Sequence, residues 1–200
     1  MADRTPHPHD LAAGPRTDGV RVSRELEIPP ERAAGLYPLY REVLGSLGSA
    51  AAARHLLTEE EFVDELADPR IDKWVATGEA DGDFLGMSTL ARDLQAVPWA
   101  SPDFYIERYP EQAARGAIWY LGFTMTLPGA QGAGVFATML SAMTEAAVAE
   151  QVIVAWDMCS ANIAGGLNGA ITTQLATSAG AISAQLDTQS YFSADFSGGS

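Results

Sequence analysis

The sequence predicts an α/β domain, one sheet carrying helices on both faces in three layers. Three observations point there. Residues 117–127 alternate like a strand, with Trp119, Leu121, Phe123, Met125 and Leu127 on one apolar face. A glycine-rich turn follows, then a helical pattern that places Val135, Phe136, Met139, Leu140, Met143 and Ala147 together. Residues 152–156 form an unbroken apolar run, the pattern of a central strand buried on both faces.

The other elements fit around that unit. Residues 1–18 are polar and interrupted by Pro6, Pro8 and Pro15, so a disordered tail is expected ahead of a single domain over 19–197. Residues 20–28 read as a first strand, stopped by Pro29 and Pro30. Ala33, Leu36, Tyr40, Val43 and Leu47 recur at helical spacing, with a kink or break expected at Pro38. Thr58 and Glu61 form a capping-box signature for a helix through Ala67. Residues 73–77 and 84–90 read as a hairpin around Asp81 and Gly82. Residues 95–116 read as irregular, yet Trp99, Phe104, Tyr105 and Tyr109 give them enough aromatic surface to cover a pocket or cap the core. A helix is expected within 163–178 and one or two closing strands within 182–196.

Charge narrows the function. The chain carries 26 acidic and 12 basic residues, a net charge of -14, and Lys73 is its only lysine. That excludes binding to a nucleic-acid backbone, which needs clustered cations. No basic run suits an anionic membrane surface, and no apolar run nears the roughly 18 residues of a spanning helix. A single cysteine, Cys159, excludes an intramolecular disulfide framework and any multi-Cys zinc site, and no metal is expected. Without a signal-peptide core the chain reads as cytoplasmic.

The turn after the long strand is Pro128-Gly129-Ala130-Gln131-Gly132-Ala133-Gly134-Val135-Phe136. The first amides of a helix lack internal partners and carry partial positive charge, so a glycine-rich entry suits a phosphate. A P-loop is excluded because no lysine is present. A dinucleotide fingerprint is met formally by Gly132, Gly134 and Ala137, with Asp157 as ribose ligand, but the strand does not turn immediately into the first glycine.

Gln131, Gly134 and the strand before them resemble the Q/R-x-x-G-x-G/A turn of the GNAT superfamily of CoA-dependent acyltransferases. The order of elements over about residues 20–196 is similar too. The resemblance implies a GNAT-like α/β/α fold with a mixed, mostly antiparallel sheet. It implies acetyl-CoA or another acyl-CoA as cofactor and a small-molecule amine as acceptor. Amides of Gln131, Gly132, Ala133, Gly134, Val135 and Phe136 would hold the pyrophosphate. The strand edge at Met125 and Thr126, with Asn162, would meet the pantetheine arm. The fourth and fifth strands would part to admit the thioester.

Three positions depart from the pattern. Phe136 replaces the final small residue, Tyr120 stands where some members carry a catalytic carboxylate, and Asn168 and Gly169 fall where a tyrosine acid is common. Tyr120 and Asp157 are the catalytic candidates: a phenol to order water or protonate the thiolate, and a carboxylate to act as base or anchor a cationic substrate. Each has a structural reading beside the catalytic one: Tyr120 as a packed ring with a satisfied hydroxyl, the reading favoured for it, and Asp157 as an N-cap or loop anchor. Glu107, Cys159, His55 and Tyr191 are weaker candidates, and Tyr191 reads as core. A catalytically inactive GNAT-like scaffold and an NAD-binding enzyme remain as alternatives, and homodimerisation is left open.

Overall fold

The structure, a computed structural model, describes residues 19–53, 56–130 and 134–194. Five strands form one sheet in the order β1 (Val20–Glu25), β2 (Ile71–Gly78), β3 (Phe84–Ala91), β4 (Ile118–Thr126), β5 (Ile153–Ala155). The first three pairings are antiparallel and β4–β5 is parallel, so the sheet is mixed and mostly antiparallel.

Helices cover both faces. On one lie α1 (Pro30–Leu44) and α3 (Glu59–Ala67), with the single turn α2 (Leu47–Ala50) between them. The α1 helix buries Ala33, Leu36 and Tyr40 and runs on through Pro38, so tertiary packing outweighs the expected break. Thr58 caps α3 in the predicted capping box with Glu61. The other face carries α6 (Val135–Glu150), packed over β1, β2 and β3, with α8 (Leu167–Ala179) beside it. Short α7 (Ser160–Ala164) leads into α8.

Four expectations need correction. Residues 95–116 are not irregular: α4 (Pro102–Arg108) and α5 (Pro110–Ala114) form there. Their prolines sit in the first turn, where a missing N–H costs nothing. The run 152–156 is not central. Only Ile153–Ala155 pair, and β5 is an edge strand. Side chains cover it on both faces, Val154 toward α6 and Ala155 toward the aromatic insert, so it reads as buried in the sequence. No strand forms over the described part of 182–196. Ile182 and Phe192 are 98% and 94% exposed, and Tyr191 is exposed rather than core. An alternating pattern makes a strand only where an edge pairs with it.

The fourth correction concerns β4. Ser88 pairs with Thr124 but Leu90 with Leu121, so Gly122 and Phe123 together oppose Thr89. This bulge splits the expected single apolar face. Trp119 and Leu121 pack toward α6, whereas Phe123 and Met125 pack toward α1 and α3. Phe123 thereby joins Tyr37, Tyr40 and Phe62, with ring centroids 4.8–6.0 Å apart.

Candidate functional site

Beyond Tyr120 and Ala155, β4 and β5 separate. The last parallel pairing is Tyr120 with Ala155, and β4 continues six residues, Leu121 to Thr126, without β5 beside it. The chain leaves β5 through Asp157 and enters α7 at Ser160. At the far end of that free edge, a tight turn at Pro128–Ala130 leads toward α6. Gln131, Gly132 and Ala133 lie outside the described residues. Gly134 caps α6 with φ 77°, a left-handed backbone that glycine adopts without strain, and it brings no side chain of its own to the first turn. Val135 is fully buried, and Phe136 packs, half-buried, against the α6 core cluster. Met125 is buried toward α1 and α3, so its backbone rather than its side chain belongs to the free edge. Asn162 lies half-buried on α7.

Tyr120 and Asp157 meet. The phenol donates to Asp157 Oδ1 at 2.6 Å, bridging β4 to the loop after β5 where the strands part. The Tyr120 ring is buried against Tyr105 and Trp99, at 6.1 and 6.5 Å between centroids. Burial first, then the hydrogen bond to Asp157 and its negative charge, push the phenol well above the ordinary tyrosine range. Its proton is held between the two oxygens. The aromatic insert thus roofs the site, while Glu107 on α4 is exposed. Cys159 sits half-buried at the start of α7, and His55 lies outside the described residues.

Sequence reading missed Glu65. From α3 its carboxylate accepts from Thr89 Oγ1 at 2.8 Å, and that oxygen accepts from the Phe123 amide at 3.2 Å. Burial is the main reason its carboxyl rises to about 7, with Thr89 and the charge of Lys73 opposing. Lys73, buried on β2, donates to the Leu26 and Asp68 carbonyls at 2.9 and 2.6 Å, and burial lowers it to about 8. Lys73, Thr89 and Gly122 therefore form a polar row across the sheet between two apolar clusters. Glu65, Thr89, Trp99, Tyr120 and Gly122 line one small cavity there, with room for about one water molecule. The capping box fixed the phase of α3 and so aimed Glu65 at the sheet, but the bulge that receives it left no mark in the local pattern.

No group of His, Cys, Asp or Glu side chains suited to a metal occurs among the described residues. No helix among them is long and apolar enough to cross a membrane.

No family model and no curated protein matches the sequence. Solved structures do match. An aminoglycoside acetyltransferase from an uncultured soil metagenomic sample, in complex with trehalose, superposes with a TM-score of 0.52 at 11% identity, covering 88% of this chain and 99% of its own. The same enzyme in complex with sisomicin gives 0.50 at 11%, covering 89% and 98%. The fold of this chain is that of the GNAT acetyltransferases.

Proposed function

We propose that the chain transfers an acyl group, acetyl or longer, from CoA to a small-molecule amine. The observation that carries this reading is the parting of β4 from β5 after three paired residues, beside a helix whose N-cap is Gly134, a residue with no side chain to occupy the first amides. Such a gap offers the free backbone edge of Leu121 to Thr126, with Met125 and Thr126 nearest the turn, to an extended ligand arm. The amides from Gln131 to Phe136 are assigned to the pyrophosphate, where oriented N–H groups and the helix dipole attract an anion. Phe136 packs half-buried against the α6 core cluster. Asn162, half-buried on α7, is assigned to the pantetheine arm. When bound, the acyl-CoA supplies an activated carbonyl and a thiolate leaving group.

The acceptor side suits a cation. Asp157 is exposed at the mouth and oriented by the hydroxyl of Tyr120, whose ring packs against Trp99 and Tyr105. A carboxylate among aromatic rings attracts an ammonium group by charge and by cation–π contact. The net charge of -14 steers cations toward the protein at long range. We assign Asp157 to acceptor anchoring and Tyr120 to positioning Asp157. The similar aminoglycoside acetyltransferases make polycationic amines reasonable first acceptors.

Calorimetry with acetyl-CoA and longer acyl-CoAs tests the reading, followed by thiol release over a panel of primary amines. Saturable binding and amine-dependent thiol release are expected. No heat of binding at millimolar acyl-CoA would overturn the assignment.

A further inference from the structure

Resting on the transferase reading, we propose that Glu65, reached from the parted strands past Gly122, takes the proton of the acceptor amine through one water held in the cavity it shares with Tyr120. Neither the turn motif nor the strand pair contains this residue. It comes from α3, on the side of the sheet away from α6.

The geometry has three parts. Gly122 lies two residues beyond Tyr120, the last β4 residue paired with β5, so the cavity wall there borders the gap. Gly122 also lets Thr89 and Glu65 lie directly against β4. A Cβ at this position would stand 2.4 Å from Thr89 Oγ1 and 3.5 Å from Glu65 Oε1. Glu65 is aimed as well, because the bulge amide of Phe123 donates to Thr89 and Thr89 donates to Glu65. With its hydroxyl proton committed to the carboxylate, Thr89 fixes the rotamer and leaves Glu65 able to accept.

The charged and titratable groups around Glu65 are Lys73 on β2, Asp68 at the end of α3, Tyr40 on α1 and Tyr120 on β4. Lys73 favours the ionised carboxylate, whereas burial and Asp68 oppose it. The balance places the carboxyl near neutrality, where a general base operates efficiently. The atoms balance as follows. The acceptor arrives as an ammonium ion and gives one proton through water to Glu65. Its freed lone pair forms the C–N bond as the C–S bond breaks. The second amine proton ends on the departing sulfur as the CoA thiol.

The test compares the full-length chain with Glu65→Gln, which keeps the acceptor oxygen for Thr89. Acetyl-CoA and a polycationic aminoglycoside serve as probes. Acetyl-CoA affinity by calorimetry is expected to be unchanged. The kcat/KM for the amine is expected to fall about 100-fold or more. The acidic limb of the wild-type pH profile, with its inflection near 7, is expected to vanish. Titration of the Glu65 carboxyl by carbon NMR in the free chain should show the same midpoint. A variant with wild-type kcat/KM and pH profile overturns the role of Glu65 alone. A wild-type chain that neither binds acetyl-CoA nor releases thiol overturns the transferase reading, and this inference with it.

Discussion

Along one edge, β4 pairs with β3 from Tyr120 to Thr126; along the other it meets β5 for three residues and then continues alone. The closed edge is backed by rings. Tyr37, Tyr40, Phe62 and Phe123 stack and cross beneath it in a cluster that contributes dispersion and buried area. The open edge carries Asp157 with Tyr120, and a second polar pair, Glu65 with Thr89 of β3, lies over β4 at the bulge. Each polar group has a partner, which removes most of the burial penalty without turning it into a gain. One strand therefore serves two ends. Stability is concentrated where β4 is zipped, and chemistry where it is not. The bulge at Gly122 and Phe123 joins the two regimes, sending one residue into the ring cluster and the next opening beside Glu65.

Breaking the closed side should produce the largest effect. Phe62 is fully buried and touches three other rings. Phe62→Ala removes that ring and leaves a cavity, with an expected loss of about 3–5 kcal/mol in urea unfolding. A loss below about 1 kcal/mol would show that the cluster collapses around the gap and does not set the stability of this face.

The polar side should respond to pH instead. The Glu65 carboxyl lies at about 7 in the folded chain against an ordinary 4.5. Between those values the folded state holds a proton that the unfolded state has released, so stability falls as pH rises through this window. A displacement of that size corresponds to about 3 kcal/mol. Glu65→Gln cannot ionise, so it should melt close to wild type at pH 4 and clearly above it at pH 8. Parallel melting curves across that range would contradict a buried, proton-holding Glu65.

The two regimes differed in how far they could be read from the chain. The hairpin of β2 and β3, the capping box at Thr58 and the sequence of β4, turn and α6 are local, set by neighbours a few residues apart, and all three stand in the structure. The resemblance at the turn led to the fold, and Tyr120 and Asp157, chosen separately, proved to be partners 37 residues apart. The bulge escaped because alternation along β4 continues in the sequence when it is interrupted in space. Glu65 escaped for the same reason: among eight acidic positions between Glu59 and Asp83, only its register over Gly122 sets it apart. The closing strands were over-read, because Ile182, Tyr191 and Phe192 carry strand-like composition but find no paired edge.

The smallest expected effect is the most discriminating. Tyr120→Phe keeps the ring against Trp99 and Tyr105 and removes only the hydroxyl that reaches Asp157. Asp157 is exposed, so water replaces the lost donor and the stability cost should be about 1 kcal/mol, that of one net hydrogen bond. If Tyr120 serves to hold Asp157 toward a cationic acceptor, the variant should raise KM for the amine several-fold and leave kcat nearly unchanged. Acetyl-CoA affinity should stay the same, because that ligand is assigned to the turn and the backbone edge from Leu121 to Thr126 and not to the Tyr120 hydroxyl. A phenol that itself protonated the leaving thiolate would behave differently. Its removal would lower kcat by about 100-fold or more at constant KM. The structure argues for the first outcome, since a phenol pushed above its ordinary range and already donating to a carboxylate is a poor proton donor to anything else.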